Sequence, residues 1–368
     1  ATLDCGGIYG SSTRSPTKVH DGQYLRKKWS RSTKPPWRRR NNLKVTIGVA
    51  TYGQFPRVDG FFTSLRNNLD PQFDVDMVCV DDGTKSVDIL RARVAKAQQY
   101  GFKCIQHGQN RGIPAAWNTI VNHAAENKSE VVVIFNDDIR LLSPGWLTRL
   151  VTVFENNQRI ATVGLPLCNE PNFDDSQSEK MWGKTPGLVG CAVGCAFAGQ
   201  PETLLLVENP DGTRGYWEDL VSFHEELQVG FKLAEKGYGS YMLPWPPVYH
   251  MGGATFGASP ELTWRNPSDY LPMGEFLRYA RSSRWYVKQY EDIYEQGRCD
   301  RMMYSRAMFC KYWGILGMDR QWIDPLNGDI VDIHDEPQRY VHRQVVDQLQ
   351  GREIAWLNKI GVVEKAIV

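Results

Sequence analysis

Two short acidic runs carry the residues best suited to chemistry. In VVVIFNDDIRLLSPGWL an apolar strand runs out into Asn136, Asp137 and Asp138, and a proline-started helix follows. Adjacent ionised carboxylates repel, so a cation or a set of backbone donors must offset them at a buried strand's end. A hard divalent ion such as Mg²⁺ or Mn²⁺, held by one or two carboxylates and completed by water and substrate phosphates, suits such a triplet. The competing reading is an N-cap for the next helix plus a solvated turn. The second run, DMVCVDDGTKS, ends another strand in Asp81 and Asp82 before a glycine turn. Carboxylates there can accept from the imide N–H of a uracil or from ribose hydroxyls; alternatively they cap the following helix from an Asp-Gly turn. A further strand ends in Thr51, Tyr52 and Gly53.

These residues need strand ends to hold them, and the pattern supplies alternating elements. VTIGVA at 45–50, MVCV at 77–80, KCIQ at 103–106 and VVVIF at 131–135 read as strands. Between them lie a helical FFTSLRNN and helices over 86–100 and 114–126, with later helices at 145–156 and 223–235. Such alternation implies an α/β fold with a mostly parallel, Rossmann-like central sheet flanked by helices. Continuous apolar runs suit strands covered on both faces, with the function at their carboxyl ends. The loop at 169–179 and the small-residue stretch GLVGCAVGCAFAG at 187–199 carry no clear period, although the latter could line a tight site.

The bulk composition fits a globular chain. Hydrophobic residues are 42 %, charged residues 23 % and the net charge +1, so no polyanionic partner is implied by the whole chain. Residues 1–42 nevertheless hold ten Lys or Arg against two Asp, including KPPWRRR. This basic extended arm, 1–43, reads as a solvated or surface-wrapped tail, or as a contact to an anionic surface. Eight cysteines without a CxxC pair argue against a zinc module and a disulfide scaffold, which favours a reducing, cytoplasmic setting. No stretch reaches the roughly 20 apolar residues of a transmembrane segment. From Pro267 on, YARSSRWYVKQYEDIY and YSRAMFCKYWGIL mix aromatics with basic residues, as expected of a helical C-terminal extension over 266–368 packed on a domain at 44–265.

Seven motifs taken in order resemble those of the family 2 glycosyltransferases, which have the GT-A fold. They are TYG, DDGT, Asn110-Arg111-Gly112 with Ala116 and Asn118, NDD followed by Ser143-Pro144-Gly145-Trp146-Leu147, GCAFAG at 194–199, EELQVGFKLAEKGY at 225–238 and VYHMGGAT at 248–255. The resemblance implies a donor-binding half at about 44–140 and an acceptor and base half at about 141–265. It also implies transfer of a hexose-like sugar, with inversion, from a nucleotide-diphosphate donor, UDP first and dTDP or GDP behind it. The acceptor would be a hydroxyl of a glycan, a protein or a lipid-linked molecule.

By the same resemblance Thr51, Tyr52 and Asp82, with Asp81 beside it, hold the nucleoside, and Arg111 or Asn118 touches base or phosphate. Asp138 matches the last acid of the family's DxD motif and His250 its downstream histidine, so the two are expected on Mn²⁺ or Mg²⁺. Asn136 departs from the acidic first position but keeps a neutral oxygen, with Asp137 between. Glu226 corresponds to the base and Glu225 to an acceptor or diphosphate contact, with Glu218 and Asp219 in reserve. Two rivals stand beside this reading: a noncatalytic binding or assembly module, and a sugar-1-phosphate nucleotidyltransferase, whose phosphate loop TYGQFPR does not supply.

Overall fold

The computed structural model describes residues 43–53, 55–168, 181–182, 187–189, 192, 194–220, 225–244, 248–251, 321–323 and 330–332. β1 (Lys44–Thr51), β2 (Asp74–Asp81), β3 (Lys103–Gln106) and β4 (Val131–Asn136) alternate with helices α1 (Phe55–Asn68), α2 (Val87–Gln99) and α3 (Ile113–Glu126). The four strands pair in parallel in the order β3-β2-β1-β4. β1 and β4 are almost wholly buried, which is why each is an unbroken apolar run rather than an alternating one. Trp117, Ile120, Val121 and Ala124 of α3 pack on this sheet together with Val78, Val80, Val132 and Ile134.

Past β4 the pattern changes. β10 (Ala196–Gly199) runs antiparallel to both β4 and β6 (Ile160–Gly164), and β11 (Gly239–Met242) lies parallel to β6. With β9 (Gly187–Val189) antiparallel beside β11, the described residues form a sheet of eight strands in the order β3-β2-β1-β4-β10-β6-β11-β9. A smaller sheet has the order β5 (Ile139–Leu141), β12 (Val248–His250), β7 (Leu167–Cys168) and β8 (Met181–Trp182). Helices α4 (Trp146–Asn156), α5 (Pro201–Leu204) and α6 (Glu225–Glu235) and a 3-10 turn at Glu218–Leu220 complete the described elements of this region.

The expected elements before residue 136 are present, with two shifts: α1 begins at Phe55, six residues before FFTSLRNN, and β2 also begins early. β2 begins at Asp74, three residues before the apolar MVCV: Asp74, Val75 and Asp76 are not buried, and Val75 between two aspartates makes no apolar run. Of the expected helical extension only β13 (Gln321–Ile323) and β14 (Ile330–Asp332) are described, and they form an antiparallel pair. The basic arm, the 169–179 loop, GGAT at 252–255 and the KYWG segment lie outside the described residues. Among the described residues no helix is long and apolar enough to cross a membrane.

Two braces fix the strand ends. Asp70 caps α4 from a distant loop: its Oδ1 accepts from Gly145 N at 2.8 Å, and its Oδ2 from Thr148 N at 2.8 Å and Thr148 Oγ1 at 2.9 Å. Asp137 and Asp138 are therefore not the cap of that helix. Trp146, fully buried, packs edge-on against Phe135 and donates through Nε1 to Asn68 O at 2.9 Å.

The second brace centres on Arg93 of α2, which is only 1 % exposed. It pairs with Asp81 through Nη1 and donates through Nη2 to Gly53 O at 2.6 Å. Asp81 also accepts from Thr84 N and Thr84 Oγ1, both at 2.7 Å, while Gly53 N donates to Thr84 Oγ1 at 2.9 Å. The TYG and DDGT turns are thus tied into one unit. Gly83 permits it: φ is +80°, and a Cβ there would lie 2.2 Å from the Gln109 carbonyl carbon.

Removing one partner of a buried ion pair leaves the other charge uncompensated. Arg93→Met is therefore expected to cost about 3–5 kcal/mol in urea unfolding. Asp81→Asn in the same chain should recover part of that loss. A loss below about 1 kcal/mol, as for an exposed pair, would show that the brace does not hold the turns.

Candidate active site

Strand order reverses between β1 and β4, and in an open α/β sheet the crevice at such a reversal is where ligands bind. Ala50 pairs with Asn136 in the ladder, so Thr51 and Tyr52 stand beside the NDD triplet. Thr51 is buried; its Oγ1 donates to Val80 O at 3.2 Å and its carbonyl accepts from Asp82 N at 2.9 Å. Tyr52 is half-buried.

Asp82 stands at the start of α3. Its Oδ1 accepts from Arg111 N at 2.9 Å and its Oδ2 from Gly112 N at 2.8 Å, which places a negative charge where the helix dipole favours one. His107 Nδ1 lies 2.8 Å from Oδ1, and the other ring nitrogen lies 2.9 Å from Thr119 Oγ1. A carboxylate offers about four lone-pair sites, so one remains for a ligand. Asp81 is committed to Thr84 and Arg93. Neither acid caps α2, the helix that follows the turn: Ser86 does, while Asp81 holds the turn at Thr84 and Asp82 takes its backbone donors at the start of α3.

Arg111 and Asn118 part company. The Arg111 side chain is exposed and donates through Nη2 to Glu218 Oε2 at 2.6 Å. Asn118 is buried, and its amide holds the 216–218 loop: Nδ2 donates to Tyr216 O at 2.7 Å and Glu218 Oε1 at 3.1 Å, and Oδ1 accepts from Tyr216 N at 2.7 Å. Arg111 is the one of the two with donors to spare. Glu218 is engaged as an ion-pair partner rather than standing ready as a base.

The junction of the two sheets joins residues 112 positions apart in sequence. β12 pairs antiparallel with β5, opposing His250 to Ile139, and Met251 N donates to Asp138 O at 3.0 Å. His250 Nε2 consequently lies 3.2 Å from Asp138 Oδ2, with both side chains buried. Among the described residues, Asp138 Oδ1 and His250 Nδ1 have no hydrogen-bond partner although both are sealed from solvent. Buried polar atoms of native proteins are normally satisfied, so each of these two atoms is open to a ligand. A carboxylate and an imidazole suit a transition-row divalent ion such as Mn²⁺ better than Mg²⁺, which prefers oxygen alone. Among the described residues no three His, Cys, Asp or Glu gather as a metal cluster, so water and substrate oxygens would complete such a site. Asp137 is buried nearby, and Asn136 N donates to Cys195 O at 3.0 Å.

Glu225 and Glu226 open α6. Glu225 is buried, Glu226 half-buried, and the Oε2 atoms of both are sealed without a partner. Burial raises Glu225 well above the ordinary glutamate range, with Glu226 adding repulsion; burial also raises Glu226. Cys195 lies within electrostatic range of Asp138, Glu226 and Glu225, and its thiol is raised first by burial and then by those carboxylates. Gly194 makes room: a Cβ there would meet Trp117 Cη2 at 2.9 Å and Glu226 Oε1 at 3.4 Å. The Trp117 indole N–H is buried without an acceptor.

Sequence reading passed over Arg93, His107, Trp117, Gly194 and Arg140. Arg140 is half-buried; burial lowers its pKa, while Asp137 and Asp138 oppose that shift.

These features define an α/β domain of the GT-A type with acids gathered at its strand ends. Residues 46–207 match the family model described as glycosyl transferase family 2, in agreement with the motifs of that segment. No curated protein matches the chain. Among solved structures, the chain is similar to a mannosyltransferase from Pyrobaculum calidifontis in complex with GDP-Man and Mn²⁺, at 15 % identity and TM-score 0.46, covering 94 % of this chain and 86 % of that one. GalNAc-T7 with UDP, GalNAc and Mn²⁺ matches at 13 % identity and TM-score 0.45, over 73 % of this chain and 57 % of that one. Residues 1–349 of S. aureus TarS match at 13 % identity and TM-score 0.41, over 80 % and 98 %.

A buried carboxylate with a raised pKa stabilises the fold only while protonated. Its contribution is complete below the unfolded pKa and is lost as pH rises through the folded one. Glu225→Gln removes that dependence. The variant should match wild type in thermal unfolding at about pH 4 and exceed it at about pH 8. Equal melting at both pH values would mean that Glu225 is solvated.

Proposed function

We propose that the protein transfers a sugar from a nucleotide-diphosphate donor, a UDP-sugar first, to an acceptor hydroxyl with inversion. The observation that carries this reading is the meeting of Asp138 and His250 at the end of β4, each with a buried atom lacking a partner. In this reading the two side chains hold a divalent ion, with Mn²⁺ ahead of Mg²⁺. When bound, such an ion offsets charge on a leaving diphosphate and contributes several kcal/mol to the transition state.

The chain's own residues account for the rest. Thr51, Tyr52 and the open site on Asp82 face the nucleoside, and Arg111 offers guanidinium donors to base or phosphate. Glu226 takes the proton of the acceptor hydroxyl as the new bond forms at the anomeric carbon and the bond to the diphosphate breaks. Burial supports that role, because a base whose pKa approaches the working pH transfers protons best. Glu225, more deeply buried beside it, orients acceptor or diphosphate. Asn136 supplies a neutral oxygen beside the acids. Its neutrality is the observation that favours a noncatalytic binding role instead.

The test is turnover of UDP-sugars with Mn²⁺. Asp138→Ala and Glu226→Gln are each expected to reduce kcat on the order of 10²-fold or more, roughly 3 kcal/mol, while thermal unfolding confirms that both variants fold. Full activity in either variant removes that residue from the mechanism. Nucleotide binding by wild type without hydrolysis or transfer of any donor would favour the binding role.

A further inference from the structure

A pair of thiols lies just beneath the strand ends and takes no part in the chemistry above. Cys79 of β2 and Cys104 of β3 are direct partners in the parallel ladder. Neighbouring strands lie about 4.8 Å apart, and disulfide-linked residues have Cα atoms about 4.4–6.8 Å apart, so the two are within bridging reach. Directly opposed residues also present their side chains to the same face of the sheet, and each thiol shifts the titration of the other. Both are free cysteines.

Their settings are unequal. Cys79 is 2 % exposed, in a strand with neighbours on both sides. Cys104 is half-buried on β3, the outermost strand of the sheet, so a small oxidant can approach it. The neighbouring Cys79 lowers the Cys104 thiol, burial opposes this, and the Arg93 guanidinium lowers it further; the neighbouring Cys104 and burial raise Cys79. Reactivity follows thiolate character and access, and both favour Cys104.

We propose that Cys104 and Cys79 form a peroxide-responsive dithiol, in which Cys104 is oxidised first and Cys79 resolves it to an intramolecular disulfide. The Cys104 thiolate attacks hydrogen peroxide, the O–O bond breaks, and sulfenic acid and hydroxide result. Cys79 then loses its proton and attacks the Cys104 sulfur. The S–S bond forms, water leaves, and one peroxide has been reduced for two thiols oxidised. Cys104 is partly exposed, so an external thiol can attack the bond, which makes it reducible and hence reversible. Cys79 lies two residues before Asp81 and Cys104 three before His107, so the bond links the strands that carry the Asp82–His107 contact.

The experiment needs no substrate. The reduced full chain is treated with hydrogen peroxide, digested and mapped by mass spectrometry, with intact mass and dithiothreitol reversal recorded alongside. Wild type should lose two hydrogens, about 2 Da, yield a Cys79–Cys104 linked peptide, and recover with dithiothreitol. Cys79→Ser should instead give a Cys104 sulfenic acid trapped by dimedone. Cys104→Ser should give no linked peptide and react at least about ten-fold more slowly. Absence of the linked peptide in wild type, which requires no variant to fold, overturns the proposal. So does prior oxidation of another cysteine, or a Cys104→Ser variant that reacts as fast as wild type.

Discussion

A carboxylate withdrawn from water must find a counter-charge or hydrogen-bond donors, and this protein sets several of them at the buried carboxyl ends of one sheet. The cost of leaving such a charge alone is several kcal/mol, enough to decide how the neighbouring chain is placed. Each acid is settled differently. Asp81 is answered by Arg93 and the Thr84 turn, and Asp82 by two backbone N–H groups and His107; away from those ends, in the loop before β2, Asp70 is answered by the start of α4. These answers hold the TYG turn, the DDGT turn and the start of α3 in fixed relation around the crevice between β1 and β4.

Against that background the incompletely answered acids stand out. Among the described residues, Asp138 has His250 on one oxygen and nothing on the other, and Glu225 and Glu226 have sealed oxygens without donors. A fold that satisfies its neighbouring acids so thoroughly keeps these open at a cost in stability, as functional sites commonly do. The small residues of 194–199 serve the same end: β10 fits between β4 and β6, and Gly194 leaves room for Glu226 beside Trp117.

The sequence made the donor half of the domain legible because its signals are local. Unbroken apolar runs marked β1 and β4, and Ser86 and Gly112 stand as the N-caps of α2 and α3, close to where those helices were expected to begin. The acids at strand ends were legible as a set, but their division of labour was not. Asp70 and Gly145 lie 75 residues apart, and neither Arg93 nor His107 belongs to a motif that announces a partner. Beyond Asp138 the strands are two to five residues long, too short for a period to show. His250 was placed by resemblance alone; the β5–β12 ladder that brings it to Asp138 leaves no periodic trace in the sequence.

The central claim is that Asp138 and His250 together receive a divalent ion alongside a nucleotide diphosphate. The most direct measurement is the electron paramagnetic resonance signal of free Mn²⁺ titrated with the full chain in the presence of UDP. The account predicts that wild type removes the free-ion signal and that His250→Ala and Asp138→Ala each weaken Mn²⁺ binding at least about ten-fold, about 1.4 kcal/mol. Identical Mn²⁺ binding by wild type and both variants would contradict it.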